Sequence, residues 1–166
     1  MRNLKMSDLI LDTNVLADLL AQYFVLHNRT QPQFLPSKFL SPDAVRFINR
    51  VIRSEGKYII GASVLAVVEI VRKWDDIVKG RFAPYQLAAF LESTPEWFVF
   101  EPMEQNIIYW FGKISAHVRM LDDSLLPIEW TDAIHAATAL SRDNAILVTT
   151  DGRLNRLVEP YTILSM

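Results

Sequence analysis

Short apolar runs alternate along the chain with longer stretches of helical period. The runs fall at residues 9–11, 58–60, 97–100, 145–148 and 162–164, each of a length that suits a strand buried on both faces. Between them, segments at about 14–27, 43–54, 63–74, 84–92, 104–121 and 131–142 read as helices. In the fifth of these, Ile107, Phe111, Ile114, Val118 and Leu121 recur at spacings of three and four and form one buried face. Pro42 and Pro84 fall where helix starts tolerate proline. Strands alternating with helices predict an α/β fold: a three-layer sandwich with a central, mainly parallel, five-stranded sheet flanked by helices.

The stretch after residue 27 breaks this rhythm. It contains Pro32 and Pro36 and little periodicity, so a Pro-containing loop followed by an extra helix, at about 28–56, reads as an insertion within a single domain spanning 1–166. The composition agrees with one folded core: 166 residues, 51% hydrophobic and only 22% charged, are the opposite of a disordered chain. Asp8 and Asp12 interrupt any N-terminal apolar run, and the nearly uncharged stretch at 58–68 is too short to cross a bilayer, so the expectation is a soluble, cytoplasmic protein with no membrane partner. The absence of cysteine removes disulfides, a thiolate nucleophile and zinc–thiolate sites. No two of the five glycines are close enough to build a phosphate-cradling loop, and there is no nucleophile elbow.

Four carboxylates stand where folding gains little from them. Asp12 closes the first apolar run and is followed by Thr13 and Asn14, which places it at the carboxyl edge of a strand, where open parallel sheets bind ligands. Helix capping by Asp12 or Asn14 is the competing reading. Glu69 is the only charged residue from Tyr58 to Val71; it needs a partner if buried, and Lys73 at i+4 is one. Asp132 opens an alanine-rich helix, where Thr131 can cap and the helix dipole favours an acid. Asp151 ends the run at 145–148 plus two threonines, repeating the strand-then-acid order of Asp12, although with Gly152 it also reads as a turn.

If these acids converge, they need a cation, because like charges about 4 Å apart repel by about 4 kcal/mol at an effective dielectric near 20. Oxygen-only ligands without cysteine or a histidine pair select Mg²⁺ or Mn²⁺ over Zn²⁺. The chemistry that follows is metal-dependent phosphoryl transfer or phosphodiester hydrolysis.

The residues quoted carry a resemblance. Leu9 to Asn14, the helix bearing Glu69, Thr131 to Ala139 and Leu147 to Asp151 are similar, in order and local context, to the four motifs of the PIN domain, particularly of the VapC-type toxin ribonucleases. The resemblance spans the chain from about residue 8 onward. It implies a PIN-like fold and a Mg²⁺- or Mn²⁺-dependent endoribonuclease, with Asp12, Glu69, Asp132 and Asp151 holding metal and the attacking water. Asn14 and Thr149 would orient carboxylates or water. It also implies an RNA substrate, a small antitoxin partner and a homodimer. The stretch between Asp12 and Glu69 is longer than in the compact toxins.

Within that stretch, Arg46, Arg50 and Arg53 lie on one helical face. The net charge of −2 thus sums a basic insertion and an acidic remainder, and excludes only an overall basic field. The arginine face is a candidate for RNA phosphates or simply a solvated surface; Lys73 and Arg153 are weaker candidates. His27, His117 and His135 have no mutual metal-ligand spacing; His135, one turn after Asp132, falls where it could be near the site, although an exposed or satisfied helix histidine is the preferred reading. Two alternatives stay open: a non-catalytic RNA- or protein-binding scaffold of the same fold, and a phosphatase resembling the haloacid dehalogenase type. The latter needs an acid where Asn14 stands.

Overall fold

Alternation along the first strand sorts the protein into two cores. The computed structural model describes residues 7–27, 42–53, 58–78, 80–120, 129–142 and 145–154. In chain order the elements are β1 (Leu9–Leu11), α1 (Thr13–His27), α2 (Pro42–Arg53), β2 (Ile60–Ser63), α3 (Val64–Arg72), α4 (Trp74–Ile77), α5 (Pro84–Glu92), β3 (Phe98–Glu101), α6 (Gln105–Met120), α7 (Trp130–Leu140) and β4 (Ile146–Val148). Leu9 and Leu11 enter one core with Ile60, Ala62, Phe98 and Val148, covered by α1, α3 and α5. Ile10 and Leu147 face the other way and pack against α6 and α7. The result is three layers, with the sheet between two sets of helices.

Four parallel strands form the sheet in the order β3-β2-β1-β4. The chain builds outward from β1 to β2 and β3, then returns to the far side of β1 for β4. Crossovers of one hand put helices on opposite faces when the direction of growth reverses, which accounts for the division between α1–α5 and α6–α7. The reversal makes a crevice between the carboxyl ends of β1 and β4.

Several boundaries differ from the sequence pattern. The run expected as a strand at 58–60 instead introduces β2, which begins at Ile60 and ends at Ser63; Gly61, Ala62 and Ser63 lack the bulky apolar signature of a strand. The helix expected over 63–74 is α3 followed by the short α4. In α6, Ile107 and Ile114 are buried as the spacing predicts and Phe111 packs beside them; the side chains of Val118 and Leu121 lie outside the described residues, as do the run at 162–164, expected as a fifth strand, and the loop part of the insertion at 28–41. Its helix is present as α2, with Ile52 buried and Arg46, Arg50 and Arg53 exposed. Among the described residues no helix is long and apolar enough to cross a membrane.

Gly61 is required by space. A Cβ there would lie 2.7 Å from Ile10 Cδ1 and closer still to the Ser7 hydroxyl, which hydrogen-bonds Glu101. Gly61→Ala is expected to cost about 1–3 kcal/mol by overpacking. Urea denaturation reads this, and an unchanged midpoint would show that the β1–β2 contact has room to spare.

Candidate active site

The register of the sheet puts Asp12, Ser63 and Thr149 one residue beyond Leu11, Ala62 and Val148, which pair across β1, β2 and β4. Asp12 is buried there, and both of its oxygens are used. Oδ1 accepts the Val15 backbone N–H at 2.8 Å, so Asp12 caps α1, and Oδ2 accepts the Thr149 hydroxyl at 2.5 Å. Thr149 Oγ1 in turn accepts the Asp151 backbone N–H at 3.0 Å. Burial pushes the Asp12 carboxyl above its ordinary value, against the pull of these hydrogen bonds. The capping reading and the strand-edge reading of Asp12 are both correct.

Glu69 stands on α3 and is 6% exposed. Lys73 Nζ lies 3.1 Å from Oε1, the i,i+4 pair that the sequence allows. Oε2 accepts the Thr13 hydroxyl at 2.5 Å, with His135 Nε2 3.5 Å away. Burial alone would raise the Glu69 carboxyl; the bonds from His135, Thr13 and Lys73 more than offset it and hold it at about 2. Asp151 is gripped by Arg153 through Nε, at 2.9 Å from Oδ2, and through Nη2, at 2.5 Å, which lowers its carboxyl.

Asp132 differs from the other three. From Thr131 to Ala139 it is the one residue that is not buried, and its nearest cation, Arg153 Nη2, is 3.7 Å away. The expected cap by Thr131 is absent: Glu129 occupies the N-cap, and Thr131 Oγ1 is buried with no hydrogen-bond partner among the described residues. The small side chains of α7 let this helix lie close on the sheet and on α6, and that close packing turns Asp132 toward the pocket rather than toward bulk solvent.

Asp12, Asn14, Glu69, Asp132 and Asp151 line one pocket of about 170 Å³ together with Thr13, Lys73, Ile77, Glu129 and Arg153. Seven residues expected at a site are therefore brought together, and Thr149 supports Asp12 from its buried side. Arg46, Arg50 and Arg53 do not line the pocket. Sequence reasoning passed over Thr13 and Ser63 as parts of the site, and gave His135 only as a possible neighbour of it. The available signal was a histidine in the otherwise apolar, small-residue turn after Asp132. His135 is fully buried and satisfied, with Nδ1 2.9 Å from Ser63 Oγ and Nε2 3.0 Å from Thr13 Oγ1. Ser63, His135 and Glu69 do not make a hydrolase triad, because Ser63 is buried outside the pocket and caps α3 by accepting the Ala66 N–H.

By donor chemistry the pocket fits a hard divalent cation: its acids are all carboxylates, from four separate segments, with no thiolate. By present geometry the acids are not gathered around a point. Among the described residues no three Asp, Glu, His or Cys side chains stand in metal-holding array, and Lys73 and Arg153 hold Glu69 and Asp151 instead.

No family model and no curated protein matches the sequence. Among solved structures, VapBC2 from Rickettsia felis, bound to a DNA fragment from their promoter, is similar over 95% of this chain and 97% of that one, with a TM-score of 0.58 and 14% identity. FitAcB from Neisseria gonorrhoeae is similar over 95% of this chain and 96% of that one, with a TM-score of 0.59 and 17% identity. The fold is PIN-like. At these identities the likeness is one of fold, and what the PIN-like pocket does is argued from its own residues.

Burial raises the Asp132 carboxyl to about 6, with the charges of Asp151 and Glu69 adding to the rise and His135 and Arg153 opposing it. Because the folded value lies above the ordinary 3.8, the neutral acid favours folding. That contribution is full below the ordinary value and is lost as pH rises through the folded one. Asp132→Asn, permanently neutral, is expected to raise the melting temperature of the metal-free protein by about 2–6 °C near neutral pH and to leave it unchanged at about pH 3. Differential scanning calorimetry at the two pH values checks both halves.

Proposed function

We propose that this PIN-like chain is a Mg²⁺- or Mn²⁺-dependent endoribonuclease and the toxin of a toxin–antitoxin pair, acting with RNA as substrate, a small antitoxin as partner and a second copy of itself in a homodimer. One observation carries the nuclease reading: four carboxylates from four separate segments line a single pocket at the carboxyl edge of a parallel sheet. The motifs resembling VapC-type toxins and the fold shared with VapBC2 and FitAcB support the toxin reading.

Asp12, Glu69, Asp132 and Asp151 would hold the metal. When bound, such a cation lowers the pKa of water and neutralises charge on the phosphate. The protein's own part is to position and to exchange ion-pair partners. Thr149 and the Val15 N–H fix the two oxygens of Asp12. Asp132, raised by burial to about 6 while no cation is present, is an acid that a bound cation would relieve. Lys73 and Arg153, at the mouth of the same pocket, are placed to exchange their carboxylate partners for the oxygens of a phosphodiester. Asn14 borders the pocket as a polar, uncharged contact for water or substrate. Farther off, the arginine face of α2 would take phosphates along the strand.

A second reading is supported by one observation: the two side-chain cations, with no triad of acids in array, suit a non-catalytic scaffold. Purified protein incubated with structured RNA and Mn²⁺, beside Asp12→Asn and Asp132→Asn, separates the two. Cleavage is expected to fall by roughly 100-fold or more in each variant, and host growth is expected to recover with it. Full cleavage in both variants sinks the site, and no cleavage by any form favours the scaffold. Replacing Arg46, Arg50 and Arg53 together with glutamine is expected to weaken RNA binding and to flatten the log–log salt dependence by about 2. An unchanged slope would return that face to solvent.

A further inference from the structure

His135 is a fully buried residue to which the proposed chemistry gives no task, and its contacts fix the direction of the hydrogen bonds that link it to Thr13 and Glu69. Glu69, ionised and paired with Lys73 through its other oxygen, can only accept, so the Thr13 hydroxyl donates to Oε2 across 2.5 Å. That spends the one proton Thr13 has. The 3.0 Å contact between Thr13 Oγ1 and His135 Nε2 must then be an Nε2–H donating to Thr13. In the neutral ring Nδ1 accepts, and its partner at 2.9 Å is Ser63, whose oxygen already accepts the Ala66 N–H and whose proton is free to point at the ring.

We infer that His135 is a positioning residue: the one-way chain Ser63 to His135 to Thr13 to Glu69 holds the Glu69 carboxylate at a fixed rotation, with its outer oxygen toward the pocket. The chain draws one residue from each of four elements, the end of β2 and helices α7, α1 and α3. It acts mainly through Thr13, since the direct contact of Nε2 with Glu69, 3.5 Å, is longer and weaker than the 3.0 Å bond to Thr13. The consequence for the proposed metal site, on which reading this inference rests, is that one of its four acids is oriented before any cation arrives. Outer partners of this kind carry about 10- to 100-fold in metal affinity.

A merely space-filling histidine and a positioning one make different demands on its replacements. Glutamine can place a donor close to the Nε2 position and reach Thr13; asparagine is too short and reaches only toward Ser63. Thr13→Val keeps the shape of Thr13 and removes the relay. The test uses Mn²⁺ alone as the probe, followed by electron paramagnetic resonance, with ring tautomer read by long-range ¹H–¹⁵N correlation on the wild-type protein. The expected results are a protonated Nε2 and a bare Nδ1, Mn²⁺ affinity about tenfold or more weaker in Thr13→Val and His135→Asn, and affinity within about threefold of wild type in His135→Gln. An Nδ1–H tautomer overturns the chain, and equal Mn²⁺ affinity in all four proteins overturns the positioning role. If His135→Asn does not fold, Thr13→Val still decides. A wild-type protein that binds no Mn²⁺ sinks the metal reading instead, and the tautomer then decides the chain by itself.

Discussion

A parallel sheet brings the carboxyl ends of its strands to one edge, and this constraint places most of the polar chemistry of the molecule. Because Leu11, Ala62 and Val148 are in register, the residues that follow them, Asp12, Ser63 and Thr149, form one row, and Ser63 pairs with Glu101 beyond it. All four are buried. Each therefore needs a partner: Asp12 and Thr149 pair with each other, Ser63 meets His135 and the Ala66 N–H, and Glu101 accepts from Ser7 and Arg142. Asp12 is the centre of this arrangement: one oxygen starts α1 and the other is tied to β4 through Thr149. The same side chain thus sets the direction in which α1 leaves the sheet and closes the crevice at the strand reversal.

The four carboxylates are stabilised by different means, and the differences locate the stress in the site. Asp12 has neutral donors only. Glu69 has a cation on one oxygen and the Thr13–His135 chain on the other. Asp151 has a guanidinium. Asp132 has no direct hydrogen bond of this kind among the described residues, sits between like charges, and is pushed by burial up to about 6. Polar groups left short of partners in an otherwise satisfied site are where a structure keeps capacity for something that binds. The hydroxyl of Thr131, next to Asp132 and unpartnered among the described residues, lies in the same first turn of α7.

What the sequence shows of this site and what it hides divide along a physical line. Asp12, Glu69, Asp132 and Asp151 are legible because a carboxylate in an apolar run or at a strand end conflicts with local folding preference, and such conflicts mark sites. The α/β order and the burial of Ile107 and Ile114 follow from periodicity alone. The partners of Glu69 are not legible in this way. Thr13, Ser63 and His135 are ordinary residues in ordinary helix and strand contexts, and their roles depend on through-space contacts from different elements that no spacing encodes. The placement of β2 fails for a related reason: Gly61 is small because Ile10 and Ser7 press on it, so tertiary packing has removed a bulky residue by which a strand is read. Thr131 was the natural cap for α7 by residue type, but the helix begins one residue earlier and leaves its hydroxyl inside.

The two cations in the pocket reconcile an acidic site with a nearly neutral chain. Five acids and two bases line the cavity, so at rest Lys73 and Arg153 relieve part of a repulsion that would otherwise oppose folding. Both are partly open to solvent, with side chains 35% and 42% exposed; the Arg153–Asp151 pair, open on both sides, contributes only about 0–1 kcal/mol, whereas Lys73 faces a buried Glu69 that needs another cation in its place. Arg153 can therefore leave its carboxylate at small cost, and Lys73 can leave once a better partner for Glu69 arrives. A divalent cation would be a better partner for the acids, and a phosphodiester a better partner for the bases. Since each arrival frees the groups the other needs, metal and anionic substrate would be expected to assist one another's binding in this pocket, a coupling that its geometry supports and that neither charge class alone would provide.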